Sequence, residues 1–240
     1  MAKNIAKKTY RSKVGRDVST SLVPMMTSRA PRRDDSEIKP LTSAQGVYIN
    51  AIQSSKLTFG IGPAGTGKTF IAAAIAADML MAEEIECIII TRPAVEAGES
   101  LGFLPGDLDE KFAPYFAPVR SVLEKRLGKG AVEYFIKAGK IVILPLALMR
   151  GHSFQNAFVL LDEAQNTTPV QMKMFLSRME EGCIVVVDGD PEQQDTPGQS
   201  GLLDAVHRVE KLNGVTVVEF NDDDIVRSGL VMDIIKAYRH

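Results

Sequence analysis

Tryptophan is absent from this 240-residue chain, cysteine occurs twice and histidine three times. Each scarcity excludes something. Cys87 and Cys183 both lie in apolar runs, IECIIIT and GCIVVV, where a reduced thiol serves as a small hydrophobe, so neither a disulfide nor a zinc site is expected. His152, His207 and His240 are scattered, with no Cys, His or carboxylate at ligand spacing, which leaves a histidine-based metal centre without support. The chain has no apolar run of about eighteen residues and no apolar signal core at its start, so the expectation is a cytoplasmic protein without a membrane span. It also has no internal repeat and no low-complexity tract.

What is present is the mixture of a soluble globular protein, 45% hydrophobic and 24% charged, with room for one good-sized core. Charge is unevenly placed. Residues 1–33 hold four lysines and five arginines against one aspartate, a surplus of eight positive charges, so the net −2 leaves the remainder at −10. This start has no helical or alternating apolar period and reads as a disordered tail over 1–36, ahead of a single domain over 37–240. Three uses fit it: an arm that grips nucleic-acid phosphates by releasing counterions, a solubilising tail, or an Arg- and Ser-rich transit peptide.

After Pro40, β-branched runs alternate with helical text. KLTFGI (56–61), IECIIIT (85–91), IVIL (141–144), AFVLL (157–161), CIVVV (183–187) and VTVVEF (215–220) read as strands of a parallel sheet covered on both faces. The best-marked helix follows Thr168, an N-cap with Pro169 at the first helical position and Gln171 closing a capping box. Met172, Phe175, Leu176 and Met179 then recur at helical spacing, as a core-facing stripe does. The alternation predicts an α/β doubly wound fold with ligands at the carboxyl ends of the strands. Residues 92–114, punctuated by Gly and Pro, are expected to form a long functional loop.

GPAGTGKT, Gly62–Thr69, matches G-x-x-x-x-G-K-[ST] between a predicted strand and a predicted apolar helix, the context its mechanism requires. Gly62, Pro63, Ala64, Gly65, Thr66 and Gly67 would curl backbone N–H groups around phosphates, and the helix start adds positive potential. Lys68 would reach the β and γ phosphates of ATP, and the Thr69 hydroxyl would ligate Mg2+; Phe70 completes the nucleotide-binding set. AFVLLDEAQN ends in Asp162, assigned to the metal shell, and Glu163, assigned to the attacking water. Gln165 and Asn166 carry the polar stretch up to the capped helix, placed to report the state of the site to it. The polar tip of CIVVV, in GDPEQQDTP, offers Gln193 to the γ-phosphate if that strand lies between the P-loop strand and the acidic one. Gln194 would then point elsewhere.

GPAGTGKT, TRPAVEAGESLGFLPGDLDEKFAPYFAPV, LMRGHSF, LLDEAQNTTPVQMKMFLSRM, GDPEQQDTP and DDDIVRSGLV together resemble the PhoH-like ATPase family, from about residue 38 to the end. Through it the chain is similar to superfamily 1 helicase motor domains, whose GD-x-x-Q motif supports Gln193 as a phosphate sensor. The resemblance implies a RecA-like P-loop NTPase fold, Mg2+-dependent ATP hydrolysis, RNA or single-stranded DNA as partner, and a homo-oligomer, with a hexameric ring as one form. It places the adenine-side glutamine on Gln45, an arginine finger acting across a subunit interface on Arg227, and Arg92 facing nucleic acid or the long loop. Where the family reads R-G-R-T-F, this chain has Arg150, Gly151, His152, Ser153 and Phe154, which removes the second arginine. Two other functions compete: a nucleotide-switched scaffold with slow hydrolysis, and a ribonuclease or ribonuclease-associated factor. The only uncommitted acid cluster, Asp222–Asp224, looks like a solvated cap, which argues against the nuclease.

Overall fold

The computed structural model describes residues 33–93, 108–151, 153–227 and 229, with backbone alone over 108–114. Residues 1–32 of the basic tail, residues 94–107, His152 and Ser228 lie outside the described residues, as does the chain beyond Gly229.

Six strands form one sheet: β1 (Leu57–Ile61), β2 (Cys87–Arg92), β3 (Ile141–Pro145), β4 (Ala157–Leu161), β5 (Ile184–Gly189) and β6 (Val215–Glu219). Their order is β3-β2-β4-β5-β1-β6, and every pairing is parallel. Parallel strands need crossovers, and helices supply them on both faces. Alternation along each strand sorts side chains into two cores. In β4, Phe158 and Leu160 join the core under α1 (Ser43–Ser54), α2 (Lys68–Met81), α3 (Leu108–Leu127) and α4 (Lys129–Lys137). Ala157, Val159 and Leu161 join the other, under α5 (Pro169–Leu176) and α6 (Gly201–Val209). Burial on both faces is why these strands read as continuous apolar runs.

The expected α/β doubly wound architecture is therefore the one observed. Thr168 and Gln171 form the expected capping box with Pro169 in the first turn, and Met172 and Phe175 are buried. Met179 lies past the helix end and packs from the bridge that its segment makes to Phe154. One expectation is corrected. Residues 108–114, assigned to a loop, are the first turns of α3, a helix that contains both Pro114 and Pro118. A proline inside a helix costs about 3 kcal/mol, and α3 offsets it by burying Phe116, Val119, Val122, Leu123 and Leu127. Before α1, residues 34–36 are tied to α3: Asp34 N–H donates to the Lys125 carbonyl at 2.9 Å, and Arg126 Nη1 to the Ser36 carbonyl at 2.6 Å.

Candidate active site

The P-loop, Asp162 and Gln193 reach one place because β1, β4 and β5 are consecutive in the sheet and end level with one another. Ile61 pairs with Gly189 and Leu161 with Val187, so their carboxyl ends open on the same edge. β5 does lie between the P-loop strand and the acidic strand.

The loop after β1 turns through Gly62, Gly65 and Gly67, with φ of 140°, 87° and 87°. Gly67 occupies the N-cap of α2 and has no side chain to accept from the first-turn amides, which leaves them available to an anion. Lys68, only 8% exposed, donates to the Gly62 and Pro63 carbonyls at 2.7 and 2.8 Å and to Thr66 Oγ1 at 3.2 Å. Burial pulls its pKa below the ordinary lysine value, while Asp188, Asp190, Asp162 and Glu163 pull the other way. Asp190 Oδ2 accepts from Ala64 N–H at 3.1 Å, so β5 also braces the loop.

Thr69 Oγ1 donates to Asp162 Oδ1 at 3.0 Å. A hydroxyl and a carboxylate meeting at the mouth of a P-loop form the hard-oxygen pair that suits Mg2+, which retains most of its waters. Burial raises the Asp162 pKa, and the Arg92 guanidinium opposes it. Glu163 adopts a left-handed backbone (φ 55°), a conformation that costs a non-glycine residue roughly 1–2 kcal/mol. Its Oε1 accepts from Arg92 Nη2 and its Oε2 from Gln165 Nε2, each at 2.6 Å. Lys68, Thr69, Phe70, Asp162, Glu163, Asp190 and Gln193 line one cavity of about 270 Å³ with Pro118 and Val122 of α3. Gln194 is turned into its own loop, donating to the Thr196 and Gly198 carbonyls.

Three more residues singled out in the sequence lie around this site. Arg92 faces neither outward nor only toward the long loop: it pairs with Glu163, lies 3.5 Å from Asp162 Oδ2, and donates through Nη1 to the Tyr115 carbonyl at 2.7 Å. Gln45 is buried, with Oε1 accepting from Leu41 N–H at 2.7 Å and Nε2 donating to the Thr66 carbonyl at 2.9 Å. Its amide braces the P-loop, and Gln45 also lines a cavity beside it. Arg227, expected to act across an interface, stands beside the P-loop of its own chain: Val226 N–H donates to the Gly65 carbonyl at 2.9 Å, and a Cβ built on Gly65 would come within 2.7 Å of Arg227 Nε.

Tyr48 has no motif to announce it, and the partners of Gln165 are set by the fold. Tyr48 hydrogen-bonds to Asp188, and Gln165 joins Glu163 to the β5 loop through Asp190 N–H (3.0 Å) and the Gln193 carbonyl (3.3 Å). A second cavity of about 300 Å³ lies on the other side of the P-loop, between Gly65, Gly67, Phe70 and Ala74 and the 34–41 segment. Among the described residues no cluster of His, Cys, Asp or Glu forms a ready metal cage, and no helix is long and apolar enough to cross a membrane.

A parallel α/β sheet with a P-loop, an acidic strand tip and a third strand with a polar tip between them defines a P-loop NTPase. The family model described as "PhoH-like protein" matches residues 37–239, and the chain belongs to that family. It is 46% identical over 248 residues to "Protein PhoH" of Escherichia coli (strain K12), covering 99% of this chain and 70% of that one. It is 48% identical over 203 residues to a "PhoH-like protein" of Bacillus subtilis (strain 168), covering 84% of this chain and 64% of the relative. In fold it is similar to the large terminase from a thermophilic bacteriophage, with a TM-score of 0.50 at 12% identity, over 82% of this chain and 50% of that one.

Proposed function

We propose that the chain hydrolyses ATP in a Mg2+-dependent reaction and couples the cycle to binding or remodelling RNA or single-stranded DNA. The observation that carries the hydrolysis is the convergence of Lys68, the Thr69–Asp162 pair, Glu163 and Gln193 on a single cavity. In this reading the loop amides and Lys68 hold the β and γ phosphates, exchanging the ammonium's bonds to loop carbonyls for bonds to phosphate oxygens. Thr69 and Asp162 would hold Mg2+, which when bound neutralises developing phosphate charge. Glu163 orients and deprotonates water, and the β5 loop carrying Gln193 responds to the γ-phosphate. The base sits in the cavity against the 34–41 segment, which Gln45 also lines. The nucleic-acid partner is supported by the surplus positive charge of residues 1–33.

The test is ATP turnover by wild type, Lys68→Ala and Glu163→Gln, each with and without single-stranded RNA and DNA. Glu163→Gln should retain ATP and lose roughly two to four powers of ten in rate. Lys68→Ala should lose binding. Undiminished turnover in Lys68→Ala would sink the reading, and a rate indifferent to every strand offered would leave the ATPase without its nucleic-acid partner.

A further inference from the structure

We infer that Arg92 restrains hydrolysis by holding Glu163 in an ion pair anchored to α3, and that turnover accelerates when the guanidinium is released. This inference rests on Glu163 being the group that activates water. Arg92 ends β2, which neighbours β4, so its side chain emerges beside the acid pair. Its two terminal nitrogens divide their work: Nη2 bonds Glu163 Oε1 at 2.6 Å, and Nη1 bonds the Tyr115 carbonyl of α3 at 2.7 Å. Gln165 occupies the other carboxylate oxygen. A water approaching Glu163 therefore competes with a donor already seated on either oxygen, and the stronger competitor is the charged one.

The pair is breakable. Its side chains are 20% and 36% exposed, and ion pairs with that much access to solvent are weak. It is also connected. Tyr115 lies one turn before Pro118, and Pro118 and Val122 line the cavity where the γ-phosphate would sit. A shift of α3 therefore moves the cavity wall and the anchor of the guanidinium together. Arg92 is on this account a positioning residue, acting on water through Glu163.

The test is steady-state ATP hydrolysis by wild type, Arg92→Ala and Arg92→Lys, with thermal unfolding to verify folding. In Arg92→Ala, kcat should rise roughly fivefold, the gain from freeing a weak ion pair, with KM for ATP within about twofold of wild type. Arg92→Lys, which keeps one charge and loses the fork, should fall between. Half-saturation by Mg2+ should move to lower concentration in Arg92→Ala because a positive charge 3.5 Å from Asp162 is gone, a change that a merely structural role would not produce. A folded Arg92→Ala whose kcat is unchanged or lower overturns the inference; should that variant not fold, a kcat in Arg92→Lys no higher than wild type does the same. Turnover by wild type without a rise in either variant refutes the restraint alone, whereas no turnover by wild type refutes the ATPase reading and the restraint with it.

Discussion

Tyr48 donates its phenolic hydrogen to Asp188 in the floor under Gly60, two residues before the P-loop, where both side chains are fully buried. Burial pushes the Asp188 carboxyl up to about 7 from its ordinary 3.8; the Tyr48 bond and Lys68 oppose the rise, and Asp162 and Glu163 add to it. Its other oxygen has no hydrogen-bond partner among the described residues.

That shift has a sign. With the folded value above the unfolded one, the native state keeps a proton that the unfolded chain gives up. The stabilisation is complete below about pH 4 and is lost as pH rises towards 7. Asp188→Asn keeps an acceptor for Tyr48 and cannot ionise. Its unfolding free energy, read from urea titrations, should therefore gain on wild type between pH 5 and pH 8, by on the order of 1–3 kcal/mol. Parallel pH profiles for the two proteins would show that Asp188 does not titrate in this window.

Gln165 is 1% exposed and spends its amide on three groups, Glu163 Oε2, the Gln193 carbonyl and Asp190 N–H. Gln165→Leu would leave Asp190 N–H buried and unpaired, a cost of about 1–3 kcal/mol in chemical denaturation. The same variant unties the Glu163 carboxylate from the β5 loop, so single-turnover hydrolysis should slow by about tenfold or more while ATP binding changes little. Equal losses in binding and rate would reduce Gln165 to a packing residue.

The strands were legible because doubly buried parallel strands are apolar without interruption, and AFVLL occupies 157–161 as read. P-loop and acid tip were legible because each is a local pattern bounded by a strand. What stayed hidden was decided over long separations. Arg92 and Glu163 are 71 residues apart, and only the β2–β4 neighbourhood turns the guanidinium inward. Gln45 and Thr66, 21 apart, meet because α1 packs over the P-loop. The start of α3 was masked by Pro114 and Pro118, whose local signal against a helix is overridden by five buried apolar residues further along it.

Arg126 clamps the segment before α1. It is 7% exposed, pairs with Asp78 of α2, and donates to the Ser36 carbonyl. Arg126→Ala should cost about 1–3 kcal/mol, below the loss for a fully buried pair because Asp78 is 46% exposed and rehydrates. The freed 34–41 segment forms one wall of the cavity assigned to the base, so KM for ATP should rise several-fold at nearly constant kcat. A fall in kcat at unchanged KM would move the base elsewhere.

Gly65 has φ of +87°, and a Cβ there would meet Arg227 Nε at 2.7 Å and Ile225 Cγ2 at 3.3 Å. Gly65→Ala therefore combines backbone strain with a collision that pushes Arg227 off the loop. In a Glu163→Gln background, which keeps the nucleotide intact, equilibrium binding of ATP with Mg2+ should weaken by about tenfold or more. Adding Arg227→Ala removes the collision and leaves the strain. If Arg227 works from within its own chain, the double change should weaken binding by less than the product of the two single effects. Strict multiplication would mean that Gly65 and Arg227 act independently, and would return the arginine to a role outside its own loop.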